Sequence, residues 1–156
     1  MISLIAVKPG ELGWFPNGNG GVWRTAVYLS SALLVGRLPE GAALYPGKFG
    51  MADNFLRFSS DTVGEKQSKS YELLLRPGGS TQLEWMSHSS AQSPPDGAVV
   101  GGFNGQGEKL YVVRGTPPAD TVKHGGYFNP ASYSTRIPHS STAVNLSSFE
   151  ILNIIT

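Results

Sequence analysis

Three histidines, twelve lysines and arginines, eleven acidic residues and no cysteine set the chemistry open to this chain of 156 residues. Without cysteine there are no disulfides, thiolate metal sites or cysteine nucleophiles, which is in keeping with a reducing compartment or a fold stable without bridges. His88, His124 and His139 stand 36 and 15 residues apart, without the i, i+4 helical spacing that zinc enzymes use, so neither a metal site nor a cofactor is expected. A hydrolase would need His124 and His139 to converge with a carboxylate in one cleft. The sequence has no Gly-x-Ser-x-Gly elbow and no phosphate-cradling Gly-x-x-x-x-Gly-Lys-Ser/Thr. The glycines from Gly101 to Gly107 lie between two apolar runs rather than ahead of a helix, which removes the dipole that a dinucleotide site needs. The chain reads as a non-enzyme.

Two acidic residues have a different meaning. Glu72 and Glu150 lie inside apolar strands, where a carboxylate needs a partner, and Arg37 and Arg114 are the obvious ones. A structural ion pair is expected for each. The remaining charge is balanced: a net charge of +1 creates no field that would gather nucleic acid. No run of eighteen apolar residues suggests membrane insertion by this chain. The apolar segment from Met1 to Val7 has no basic leader and reads as a strand, so a chain without a signal peptide, cytoplasmic or released by a non-classical route, is expected.

The elements that must position these residues are β-strands. Twenty glycines and eleven prolines put a turn every few residues and leave little room for long helices. Runs rich in β-branched, aromatic and leucine residues predict strands at Ile2 to Val7, Val22 to Tyr28, Ala32 to Gly36, Tyr71 to Leu75, Thr81 to Ser87, Ala98 to Phe103, Lys109 to Arg114 and Phe149 to Ile155. Asn104-Gly105, with Gly107 behind it, marks a hairpin between two of them.

An internal repeat organises the whole chain. Leu12-Gly13-Trp14 matches Leu83-Glu84-Trp85 at an offset of 71, and Leu34-Val35-Gly36-Arg37 matches Tyr111-Val112-Val113-Arg114 at 77. Ser70-Tyr71-Glu72-Leu73-Leu74 matches Ser148-Phe149-Glu150-Ile151-Leu152 at 78, which sets Gly47 opposite Gly125. The jump from 71 to 77 implies a shorter turn in the first copy, near Ser30-Ser31, where the second carries its Asn-Gly hairpin. Copies this short are marginal alone. A single domain over 1–156 is therefore expected, all-β, with two intertwined repeats (about 11–76 and 82–154), pseudo-two-fold symmetry and exchanged strands. The terminal strand 2–7 is expected to pack with the C-terminal strand.

The second copy carries Trp85, Pro95, Ala98-Val99, Gly101-Gly102, Gly107-Glu108, Leu110-Tyr111-Val112, Arg114 and Phe149-Glu150 followed by Leu152. This ordered set resembles the DM-nine repeat family, which includes oyster-type mannose-binding lectins and the N-terminal module of natterin-like proteins. The first copy keeps Trp14, Leu34 to Arg37, Pro46-Gly47-Lys48 and Tyr71 to Leu74. The resemblance implies two tandem repeats intertwined in one compact all-β domain that often forms a homodimer. It also implies sugar binding by an Asp in the hairpin after Gly-Gly and by the Lys of Pro-Gly-Lys. Such a pair accepts from and donates to neighbouring hydroxyls through charge-assisted bonds. Here the Asp position is Asn104, and the second copy's Lys position falls on Gly126 or Tyr127. The first copy keeps Lys48 but lacks the segment that would hold the Asp, so mannose specificity does not carry over.

Lys48 is accordingly the leading ligand residue, against a plain turn lysine. Asn104 is read first as a turn residue and second as a ligand group. Asp120 and Asp53 are candidate replacement carboxylates, otherwise surface charges. Trp14 and Trp85 occupy matched positions and read as core. Trp23 has no counterpart in the other copy and offers a face on which sugar C–H groups stack, as do Tyr45, Tyr127 and Tyr133. The reading is a non-catalytic, lectin-like protein whose partners are mannose-type or other glycans, bound at Lys48, Asn104, Asp120, Tyr127 and Trp23. The alternative is a protein interaction or assembly module, such as a toxin-associated targeting domain, with a decayed sugar site.

Overall fold

The structure is a computed structural model and describes residues 12–16, 25–76 and 82–155. The expected strand at Ile2 to Val7 and the first three residues of that at Val22 to Tyr28, Trp23 among them, lie outside these residues. The described chain is all-β, and its fourteen strands fall into two series of seven. The first repeat supplies β1 (Gly13–Pro16), β2 (Tyr28–Ser30), β3 (Leu33–Glu40), β4 (Ala43–Gly50), β5 (Phe55–Phe58), β6 (Lys66–Ser68) and β7 (Glu72–Leu75). The second supplies β8 (Gln82–Ser89), β9 (Val100–Phe103), β10 (Lys109–Gly115), β11 (His124–Asn129), β12 (Ser134–His139), β13 (Thr142–Val144) and β14 (Ser148–Ile155).

The two series pair in the same register. Trp14 faces Leu74 across β1 and β7, as Trp85 faces Leu152 across β8 and β14. Arg37 on β3 faces Glu72 on β7, as Arg114 on β10 faces Glu150 on β14. The expected exchange of strands is not found: among the described strands each repeat closes its own antiparallel ladders. The single strand pair across the halves is Leu44 of β4 with Phe103 of β9. Each repeat can do this because its last strand, β7 or β14, is already bordered on both sides by strands of its own half.

In both halves an arginine crosses to the other. The ladder of β2 on β3 slips at Leu29, between the pairs Tyr28↔Leu34 and Ser30↔Leu33, and that of β9 on β10 slips at Gly101. These are matched β-bulges, and a bulge leaves one residue out of the ladder. Arg37 Nη1 donates to the carbonyl of Gly101 (3.1 Å) and Arg114 Nη1 to that of Leu29 (3.1 Å). The same guanidinium donates through Nε to its own repeat's carboxylate, Arg37 to Glu72 and Arg114 to Glu150, each at 2.7 Å. Each also covers a tryptophan ring, Trp14 at 4.2 Å and Trp85 at 4.5 Å. The two expected ion pairs are thus present, in the setting that makes a buried charge tolerable.

Apolar packing follows the same two-fold relation. Val27, Val35 and Leu74 of one half and their counterparts Val99, Val112 and Leu152 share one cluster, with Leu29 among them and Trp14 and Trp85 packed at its border.

Several strands were not legible because glycine and proline interrupt them. β4 contains Pro46-Gly47, β11 contains Gly125-Gly126 and β12 contains Pro138. The glycines serve close approach rather than turning. A Cβ on Gly47 would strike the carbonyl oxygen of Arg57, and one on Gly126 that of Arg136. That equivalence corrects the alignment by one residue: Gly47 corresponds to Gly126, and Lys48 to Tyr127. The short turn expected near Ser30-Ser31 spans Ser31-Ala32, whereas the second copy's hairpin runs from Phe103 to Lys109.

The two arginines differ in burial, with side-chain exposures of 9% for Arg37 and 18% for Arg114. Arg37→Ala removes the guanidinium from the more deeply buried of the two ion pairs and is expected to cost about 3–5 kcal/mol in urea denaturation. Arg114→Ala is expected to cost on the order of 2 kcal/mol, because Lys123 also reaches Glu150 at 2.7 Å. Equal costs would contradict this account.

Candidate functional site

The halves pack along β4 and β11, and a cluster of polar side chains gathers there. Lys48 comes from β4, His124 opens β11 and His139 closes β12. Asp120 comes from the turn ahead of β11. Eight residues separate Arg37 from its ladder partner Pro46, but ten separate Arg114 from Gly125. The longer turn carries Asp120.

Lys48 Nζ lies 2.7 Å from His124 Nδ1. An ammonium only donates, so Nδ1 accepts and the ring proton sits on Nε2. From there it is donated to Asp120 Oδ2 at 2.9 Å, and His139 Nε2 lies at 2.9 Å from the same oxygen. The other carboxylate oxygen, Oδ1, accepts from the backbone N–H groups of Thr121 (2.6 Å) and Val122 (2.9 Å). The two imidazoles meet edge to face, 4.8 Å between centroids. Lys48 is 5% exposed, whereas the side chains of Asp120 and His139 are each 22% exposed, so solvent reaches the outer members of the cluster.

The electrostatics agree with this chain of bonds. Burial lowers the Lys48 ammonium to about 8, with Glu65 opposing, Arg57 assisting and Asp120 opposing the shift. Burial and the Lys48 charge push His124 below its ordinary value, against the pull of Asp120. The Val122 N–H, then His139, hold the Asp120 carboxyl well below the usual carboxylate range.

The symmetry-related place on the seam is built from different groups. Tyr127 stands for Lys48, Tyr45 for His124 and Ser60 for His139. The Tyr127 hydroxyl donates to Asp61 Oδ1 at 3.0 Å, and its ring lies 5.8 Å from that of Tyr45. Burial first, then Asp61, raises its ionisation beyond the ordinary phenol range.

Of the sequence candidates, Lys48 and Asp120 are brought together through His124, and Tyr127 sits at the symmetry-related place on the seam. Asn104 is 2% exposed and committed to its hairpin. Its Oδ1 accepts from the N–H groups of Gln106 and Glu108, each at 3.0 Å, and its Nδ2 donates to Glu108 at 2.8 Å. The positive φ of that hairpin falls on Gly107, not on Asn104-Gly105. Asp53 pairs with Arg57 at 2.7 Å as a surface charge, Tyr45 is buried, and Tyr133 is 67% exposed. Trp23 lies outside the described residues. His88 packs between Phe128 and Phe149, away from chemistry. The convergence of His124 and His139 was not legible from spacing. The one available signal was Asp120 standing four residues before His124.

The geometry defines a two-repeat β domain in which a lysine, a carboxylate and two imidazoles are held together across the seam between repeats. The DM9 repeat matches residues 29–122, more than half of the sequence, and the chain belongs to the DM9 repeat family. This family is one of lectin-like binding modules associated with carbohydrate binding. No curated protein matches the chain. The matched span begins at β2 and ends in the turn that carries Asp120, so it straddles both repeats.

Because the folded state holds the Lys48 proton less tightly than the unfolded chain, unfolded molecules bind more protons between pH 8 and 10.5. Stability contributed at Lys48 therefore rises with pH across that window. The stability of the native protein minus that of Lys48→Met is expected to increase by on the order of 2 kcal/mol over it, measured from urea midpoints. A flat difference curve would refute the burial of an ammonium at this position.

Proposed function

We propose that the chain is a non-catalytic, lectin-like protein that binds mannose-type or related glycans at the Lys48, His124, Asp120 and His139 cluster. The observation that carries this reading is the pairing of the Pro-Gly-Lys lysine with a carboxylate from the other repeat, bridged by an imidazole. The sequence lacks the hairpin Asp, and Asp120 supplies the negative group from another direction.

The more exposed members are Asp120 and His139, and His139 Nδ1 has no hydrogen-bond partner among the described residues. A carboxylate accepting from one hydroxyl and an imidazole nitrogen contacting its neighbour would read a vicinal diol. Lys48 stays behind His124 and fixes the ring. Two polar contacts at a half-open surface support weak affinity, on the order of 1 mM for a monosaccharide. The symmetry-related place on the seam, where Tyr127 is buried, supports one site per chain. Useful avidity would then require a homodimer or a clustered glycan.

The test is an NMR titration of the full chain with mannose and other monosaccharides, in the presence of a chelator, followed by a glycan array. Selective shifts at His139 and Asp120 are expected, lost in Asp120→Asn and His139→Ala and retained in Asp53→Asn. If no sugar perturbs the spectrum at millimolar concentration, the chain is better read as a protein interaction module.

A further inference from the structure

We propose that Asp120, His124 and His139 form a binding site for a zinc-class divalent transition ion. This goes beyond carbohydrate binding and does not depend on it.

The donor atoms are already gathered. Asp120 Oδ2 lies 2.9 Å from both His124 Nε2 and His139 Nε2, and one ligand atom from each residue falls within 4.8 Å of the others. Bonds of about 2.0–2.1 Å to a tetrahedral ion set ligand atoms about 3.3 Å apart. The two Asp120 edges therefore have to open by a few tenths of an ångström, and the edge between the imidazole nitrogens, within 4.8 Å, has to settle to the same length by rotation of the rings. The donor set, two imidazole nitrogens and one carboxylate oxygen, is that of zinc sites that keep an open coordination position. A calcium ion would need six or more oxygen ligands.

The surroundings orient these donors as a metal requires. The N–H groups of Thr121 and Val122 hold Oδ1 at 2.6 and 2.9 Å, which turns Oδ2 alone toward both rings. Each ligand comes from a different backbone segment, and two of the three are anchored on strands. The side chains of His124, Asp120 and His139 are 15%, 22% and 22% exposed, which gives an ion a path from solvent. The shared framework does not impose the cluster, since its counterpart positions hold Tyr45 and Ser60.

Lys48 opposes the ion. Its ammonium on Nδ1 holds the His124 proton on Nε2, the atom that the metal needs. Replacing Lys48 by methionine lets the ring carry its proton on Nδ1 and removes a positive charge from the site. This residue therefore separates the two activities: Lys48→Met should weaken sugar binding and tighten the metal.

The experiment uses the full chain without sugar. Isothermal titration with zinc chloride should give one ion per chain, and cobalt(II) should produce the intense visible bands of a tetrahedral site. Asp120→Asn and His139→Gln should each lower zinc affinity by about a hundredfold or more, Asp53→Asn should leave it unchanged, and Lys48→Met should raise it at least about tenfold. Calcium and magnesium should not compete. The proposal is overturned if the folded native chain takes up no stoichiometric zinc, if cobalt gives only the weak octahedral spectrum, or if Asp53→Asn is as damaging as Asp120→Asn. Sugar binding measured under chelator stands or falls separately.

Discussion

A guanidinium in a protein interior keeps its charge, so every group around it has to answer to it. In each half of this molecule one arginine is placed where it must be satisfied from three directions: a carboxylate of its own repeat, the face of a tryptophan, and a backbone carbonyl of the other repeat. The third partner is the constraining one. A carbonyl in a regular ladder is already engaged, and the bulges at Leu29 and Gly101 release one in each half for this purpose. Neither repeat can meet the needs of its own arginine alone. This reciprocal demand joins two halves that otherwise close their ladders separately.

The same two-fold relation explains how the halves tolerate different residues at equivalent places. Gly101 on the second repeat's bulge faces Pro46, while at the related contact Leu29 faces Gly125. One small and one large partner are used in both, with the sizes reversed, so the spacing between halves is kept. The polar seam follows the same logic with less symmetry. Lys48 and Tyr127 occupy equivalent positions, and each reaches across the seam, the lysine to His124 and the phenol to Asp61. A long polar side chain is preserved in function as a bridge, while its charge is not.

How much of this was legible follows from what each feature depends on. The repeat, the Arg37–Glu72 and Arg114–Glu150 pairs and the role of Trp14 and Trp85 were readable, because a matched charge inside matched apolar strands has few ways of being satisfied. β4, β11 and β12 were not, because Gly47, Gly126 and Pro138 carry the signature of turns in a sequence and that of close sheet packing in the fold. The strand exchange was expected from the small size of each copy. In the structure that need is met by side chains and a shared apolar cluster instead. The turn at Asn104 was placed correctly, but its chemistry was not: the side chain acts as a scaffold for the hairpin, and the left-handed conformation belongs to Gly107.

The candidate site was half legible for a reason that concerns the repeat itself. Comparing the two copies directs attention to residues they share, and Lys48 stands out because its motif is recognisable. His124 and His139 are matched by Tyr45 and Ser60, side chains of different chemistry, and Asp120 by no aligned residue, so a comparison between copies passes over them. Asp120 is further hidden by the two extra residues of its turn, which displace it from any aligned position. Chemistry specific to one repeat is built where the duplicated frame is broken, in a longer turn and at the ends of strands, while the interior that the two repeats share holds those positions close together. The cluster is asymmetric because a site at the seam needs just one complete set of donors, and the opposite seam is then free to serve packing, as Tyr127 and Tyr45 do.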